Sequence, residues 1–178
     1  MSSQNARSEP NVLITGTPGT GKTTTSEMVA DLTGYRHVNI GQIVDERGLH
    51  EGRDTEYDCW LIDEDRVVDE LESEMAAGGN VVDFHTCDFF PERWFDLVVV
   101  LRANNTVLFD RLKGKGYREN KVQENIECEI MQVVLDEARD SYPDELIVEL
   151  QSDTFDQLES NAQRIKQWVL NWKNKHQH

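Results

Sequence analysis

A chain of 178 residues with 38% hydrophobic content is long enough for one domain with a real core, and a second full domain is not expected. The net charge of −16, from 34 acids against 18 lysines and arginines, argues against extensive direct contact with nucleic-acid phosphate. No stretch approaches the ~18 apolar residues of a membrane span, residues 1–10 lack an apolar leader core, and three dispersed cysteines, Cys59, Cys87 and Cys128, form no disulfide framework or zinc knuckle. A soluble, intracellular monomer is expected.

The first element is the apolar run 11–15, which reads as a strand. It delivers the chain into Gly16-Thr17-Pro18-Gly19-Thr20-Gly21-Lys22-Thr23, a complete G-x-x-x-x-G-K-[ST] match, and then into a helix over 21–32. Strand, glycine-rich turn and helix start together aim successive backbone N–H groups at phosphate oxygens. A second strand is predicted over 36–40. The polar, acidic stretch 42–62, with Gly48, Gly52 and Tyr57, interrupts the core pattern. Within 39–74 thirteen acids face three basic residues, a field that attracts a basic partner. Part of that charge belongs to the wet face of a helix over 63–77, whose dry face is Val67, Val68, Leu71 and Met75.

Strands follow over 80–84, 97–102 and 146–150, alternating with helices over 104–113, 120–139 and 155–174. Strands alternating with helices predict a parallel sheet, and the unbroken Leu97-Val98-Val99-Val100-Leu101 predicts burial on both faces. The helix over 120–139 is read from the stripe Val122, Ile126, Ile130, Val133 and Val134, and Thr154-x-x-Gln157 reads as a capping box for the last helix. A second interruption, 114–120, contains Gly114, Gly116, Lys115 and Arg118. Both interruptions suit flaps that close on substrate and exclude water.

Chemistry is assigned by residue type and position. Gly19 and Gly21 permit close backbone approach, Lys22 reaches the β- and γ-phosphates, and the Thr23 hydroxyl ligates Mg²⁺. Asp83 ends the third strand as a Walker-B acid does, a second candidate for the metal. His85, two residues on, either orients a water or substrate phosphate or is a satisfied structural histidine. Arg93 either grips a phosphate bidentately or pairs with an acid. Arg111, Lys115 and Arg118 are candidates for neutralising a moving phosphoryl group.

The P-loop extended through Thr24, the stretch 63–71, Asp83-Phe-His-Thr-Cys-Asp-Phe-Phe-Pro-Glu-Arg-Trp94 and Glu124-Asn-Ile-Glu-Cys-Glu-Ile-Met131 resemble the adenylate kinase isoenzyme 6 family, from about Asn11 to the C-terminal helix. The resemblance implies an α/β P-loop nucleoside-monophosphate kinase fold with a five-stranded parallel sheet, an AMP flap near 39–62 and a short lid near 114–124. It implies Mg²⁺-dependent phosphorylation of AMP by ATP, an ATPase activity, and a role in small-subunit ribosome maturation through a small-subunit ribosomal protein and the pre-ribosomal particle. It further implies residence in nucleus and cytoplasm. By motif, Gly19, Gly21, Lys22, Thr23 and Thr24 carry over as ATP contacts and Asp83 and His85 as the Asp-x-His pair; Thr20 and Lys115 are further expected ATP contacts, and Gly41, Arg93 and Arg111 are expected to bind substrate. The chain departs from typical adenylate kinases at Asp45, where the AMP-gripping arginine is expected, and at Lys115 in place of a lid arginine.

Overall fold

A computed structural model describes residues 7–54 and 59–176. Strands β1 (Asn11–Gly16), β2 (Arg36–Asn39), β5 (Asn80–Asp83), β6 (Leu97–Arg102) and β7 (Ile147–Gln151) form one parallel sheet in the order β2-β5-β1-β6-β7. A separate antiparallel hairpin pairs β3 (His50–Asp54) with β4 (Cys59–Ile62). The helices are α1 (Lys22–Thr33), α2 (Ile40–Arg47), α3 (Glu64–Ala77), α4 (Asn105–Gly114), α5 (Glu119–Ile130), α6 (Val133–Ser141) and α7 (Phe155–His176).

The two-residue period of the strands divides the core. Leu13, Val82, Val98 and Val100 face Val67, Leu71 and Met75 of α3 and Leu135 and Ala138 of α6. Val12, Ile14, Val81, Val99 and Leu101 face Val29 of α1 and Ala162, Ile165 and Val169 of α7. Burying both faces of such strands supplies the main favourable free energy, about 2 kcal/mol per large aliphatic side chain. A smaller apolar cluster, Leu108, Leu112 and Val122 with Ile126 against it, packs α4 on α5.

The expected helix over 120–139 is in fact two. At 3.6 residues per turn, Leu135 and Ala138 fall roughly half a turn away from Val122, so one straight helix cannot bury both sets. The chain breaks at Met131–Gln132, where Gln132 takes φ 58°. Val122 then turns to α4 while Leu135 and Ala138 turn to the sheet. Of the predicted stripe, Ile130 and Val133 end up exposed. The stretch 39–62, expected as a flap, carries α2 and the β3–β4 hairpin; its tip, 55–58 with Tyr57, lies outside the described residues, as does the side chain of Cys59. Cys87 is buried and Cys128 half-buried, both as free thiols. The capping box forms in a shifted version: Thr154 accepts from the Gln157 N–H at 3.1 Å, and Gln157 reaches back to the N–H of Asp153 rather than of Thr154, at 2.7 Å.

Candidate active site

The carboxyl ends of β1, β2 and β5 meet at one edge of the sheet, the place where open parallel sheets bind ligands. From β1 the chain enters the P-loop, where Gly19 and Gly21 adopt φ 94° and 90°. A Cβ on Gly19 would stand 2.8 Å from Leu108 Cδ1, and one on Gly21 3.2 Å from Ser152 Oγ, so both positions require glycine. Side chains from three other elements fix the loop. Arg111 of α4 donates to the Gly19 carbonyl at 3.2 Å, Ser152 after β7 donates to the Thr20 carbonyl at 2.6 Å, and the Thr17 hydroxyl donates to Glu129 of α5 at 2.8 Å. Thr20 is buried and turns its hydroxyl back to the Thr17 carbonyl at 2.8 Å.

Lys22, the first residue of α1, donates to the Thr17 carbonyl at 3.1 Å. Burial lowers its pKa to about 8, and the neighbouring Lys115 adds to the fall while Asp83 and Glu129 oppose it. Next to it, Thr23 donates to Asp83 Oδ2 at 3.0 Å, and Thr24 is exposed in the same turn. Parallel pairing of β2 with β5 sets His37 opposite Val81 and Asn39 opposite Asp83. Asp83 Oδ2 therefore also receives His37 Nε2 at 3.0 Å and Asn39 Nδ2 at 3.2 Å. Asn39 turns its Oδ1 to the N–H of Gln42, capping α2, and Gly41 sits in that first turn beside it. A buried carboxylate adjacent to an exposed hydroxyl is the oxygen-donor chemistry of Mg²⁺, so Thr23 and Asp83 fit the metal the fold implies.

The cleft over the P-loop encloses ≈ 810 Å³. Lys22, His85, Lys115, Arg118 and Lys121 line it. Among the described residues none of the four cations has a salt-bridge partner, in a chain of net charge −16. His85 is exposed and lines the cleft; desolvation by the surrounding protein and the Lys22 charge push its pKa down to about 4, which keeps the ring neutral.

Three expected substrate contacts are placed differently. Arg93 lies in a short 3-10 turn ahead of β6, at the amino end of the sheet, where it pairs with Glu72 and gives its carbonyl to Arg7 at 3.0 Å. It is remote from the cleft because 84–96 returns along the whole sheet before β6 begins. Arg111 reaches the backbone of the P-loop and supports it from outside. Gly41 is near Asp83 but does not line the cleft over the P-loop. Asp45 is exposed on α2, and Arg47 pairs with Glu70 at 3.2 Å.

His37 and Glu129 were missed by motif reading. Their signals were present. Period-two alternation in 36–39 puts His37 and Asn39 on one face of the strand, and a glutamate in the stripe-bearing helix 120–139 stands next to the core positions.

A model of the AAA domain family matches residues 12–132. A protein of Dictyostelium discoideum called adenylate kinase isoenzyme 6 homolog is 52% identical over 166 residues, covering 93% of this chain and 95% of its own. A Schizosaccharomyces pombe protein of the same name is 48% identical, over 96% and 97% of the two chains. The chain belongs to the adenylate kinase isoenzyme 6 family. Its fold is that of the P-loop nucleoside-monophosphate kinases, and shikimate kinase from Acinetobacter baumannii shares it at TM-score 0.62 with 20% identity, over 92% of this chain and 94% of that one. The family places the chain among P-loop kinases and ATPases that use ATP, a class of phosphotransferase.

Proposed function

We propose that the protein transfers the γ-phosphoryl group of ATP to AMP, with Mg²⁺, and hydrolyses ATP when AMP is absent. The observation that carries this reading is the set of cations Lys22, Lys115, Arg118 and Lys121, none in a salt bridge among the described residues, around a P-loop whose Thr23 and Asp83 are already in contact. Phosphoryl transfer leaves little covalent chemistry to protein groups, so positioning and charge neutralisation supply the rate. P-loop amides and Lys22 hold the donor phosphates; Lys115 and Arg118, on the lid, approach the γ-phosphate as the cleft closes. Thr23 and Asp83 would hold Mg²⁺, which would supply positive charge against the developing negative charge of the phosphates. His37 and Asn39 fix the Asp83 carboxylate, and neutral His85 donates a hydrogen bond to an oxygen of the acceptor phosphate or accepts one from the attacking water. Measuring ADP and free phosphate together, with and without AMP, tests this: ADP formation that AMP does not stimulate overturns it.

A second reading is supported by one observation. Asp45 replaces the AMP-gripping arginine, while Arg47 and Arg93 are committed to Glu70 and Glu72. Weak acceptor binding lets water compete for the phosphoryl group, which suits an assembly ATPase that releases a basic small-subunit ribosomal protein from the acidic segment 39–74 during small-subunit maturation, in nucleus and cytoplasm. A change in phosphate release on adding such a protein supports this reading; an unchanged rate removes it.

A further inference from the structure

Glu129 is a carboxylate in the last turn of α5, only 3% exposed, and both of its oxygens accept hydrogen bonds. Oε1 accepts the Thr17 hydroxyl at 2.8 Å. Oε2 accepts Arg102 Nε at 2.8 Å and the Ala103 N–H at 2.9 Å, while Arg102 Nη2 reaches the Glu129 carbonyl at 2.8 Å. Packing α5 against the end of β6 needs only a hydrophobe, and a buried carboxylate is costly unless its lone pairs are used. What the carboxylate adds is a fixed charge against the P-loop. Arg111 and Ser152 hold the carbonyls of Gly19 and Thr20. Among the described residues, Glu129 is the side chain outside the loop that holds Thr17. The Thr17 carbonyl in turn receives Lys22 Nζ at 3.1 Å and the Thr20 hydroxyl at 2.8 Å.

The chain of contacts therefore runs from Arg102 through Glu129 and Thr17 to Lys22. We propose that Glu129 is a positioning residue for the donor phosphates: its carboxylate sets the Thr17 end of the P-loop and, through Thr17, the resting place of the Lys22 ammonium. This inference deepens the nucleotide-binding part of the proposed function and is independent of which acceptor is used. The break at Gln132 lets Glu129 reach the loop while α6 turns to the sheet, where Glu137 accepts the Cys87 N–H at 2.8 Å, next to His85 and Thr86.

Thr17→Val removes the hydroxyl with little change of shape, and Thr17→Ser restores it. In Glu129→Gln the amide oxygen serves Arg102 and Ala103, so the NH₂ faces Thr17 and a charged acceptor becomes a donor. ATP and ADP affinities, measured by calorimetry with and without Mg²⁺ on protein shown to be folded, are expected to fall about tenfold in Thr17→Val and in Glu129→Gln. The double variant is expected to lose no more than the worse single one, and Thr17→Ser to bind as the original protein does. Nucleotide binding in folded Thr17→Val equal to that of the original protein, or losses that multiply in the double variant, overturns the proposal, and Thr17→Val decides it alone should Glu129→Gln fail to fold. Protein that binds ATP but phosphorylates no AMP overturns only the AMP assignment, whereas protein that binds no nucleotide overturns both.

Discussion

The two ends of the sheet are built from the same strands and treat polar side chains in opposite ways. At the amino end the polar side chains are paired with one another, the buried Arg7 Nε excepted. Asn11 Nδ2 donates to the Met75 and Trp94 carbonyls, both at 2.8 Å, and its Oδ1 accepts the Asn80 N–H and Nδ2. Asp96 takes Arg7 at 2.8 Å and the Asn11 N–H at 2.9 Å, and Arg93 is held by Glu72. At the carboxyl end, Lys22, Lys115, Arg118 and Lys121 line the cleft together with Glu124 and Glu137, and among the described residues none of the four cations forms a salt bridge. Saturated polar groups specify a structure, whereas unsaturated ones specify a ligand, here an anion with several oxygens.

Lys22→Ala is the sharpest way to break that contrast. It removes the ammonium at the centre of the cleft, and ADP formation from ATP and AMP should fall on the order of 10³-fold with little change in thermal stability. Retained turnover means the cleft does not work on phosphate. Asp83→Asn keeps an oxygen for Thr23, His37 and Asn39 but loses the anion. Turnover should drop on the order of 10²-fold, with the Mg²⁺ titration displaced to higher concentration. An unmoved Mg²⁺ requirement puts the metal elsewhere.

The pH response follows from the same crowding. Lys22 has its pKa lowered to about 8, so below that pH it is charged and binds phosphate, and above it the charge is lost. ATP affinity should be roughly tenfold weaker at pH 9 than at pH 7, the loss expected from one unit above that pKa. His85, with its pKa lowered to about 4, stays neutral throughout and adds no inflection. Affinity flat across that range removes the claim that Lys22 is dehydrated.

At the amino end the expectation reverses. Asn11→Ala removes four hydrogen bonds from a buried network and should cost about 3 kcal/mol in urea unfolding, while the specific activity of the folded fraction stays unchanged.

How far this contrast was legible in the sequence depends on distance along the chain. The P-loop, its strand and its helix are contiguous, so octapeptide and context were enough to read the strand, the glycine turn and the helix start. The sheet was legible because Val and Leu runs report burial on both faces directly. The break at Gln132 was not, because the stripe Val122 to Val134 satisfies a helical period locally, and only the separate destinations of Val122 and Leu135 force the turn. The hairpin His50–Asp54 with Cys59–Ile62 was hidden because its first strand, His-Glu-Gly-Arg-Asp, is polar and its second is only four residues long. Glu129 and His37 act across 112 and 46 residues, and no local pattern reports such a pairing.

Arg93 shows the same limit from the other side. Its position after an Asp-x-His strand end suggested a phosphate contact, yet the loop carries it back to the saturated end of the sheet, where the exposed pair with Glu72 uses its guanidinium. Arg93→Ala should therefore leave KM for AMP and kcat within about twofold of the original protein, and an exposed ion pair of this kind should contribute no more than about 1 kcal/mol to stability. Steady-state kinetics with varied AMP decide it. A large rise in KM for AMP would mean that the amino end of the sheet communicates with the cleft, and the division between a saturated end and a ligand-seeking end would have to be redrawn around Glu72 and Trp94, whose indole N–H shares the same carboxylate at 2.8 Å.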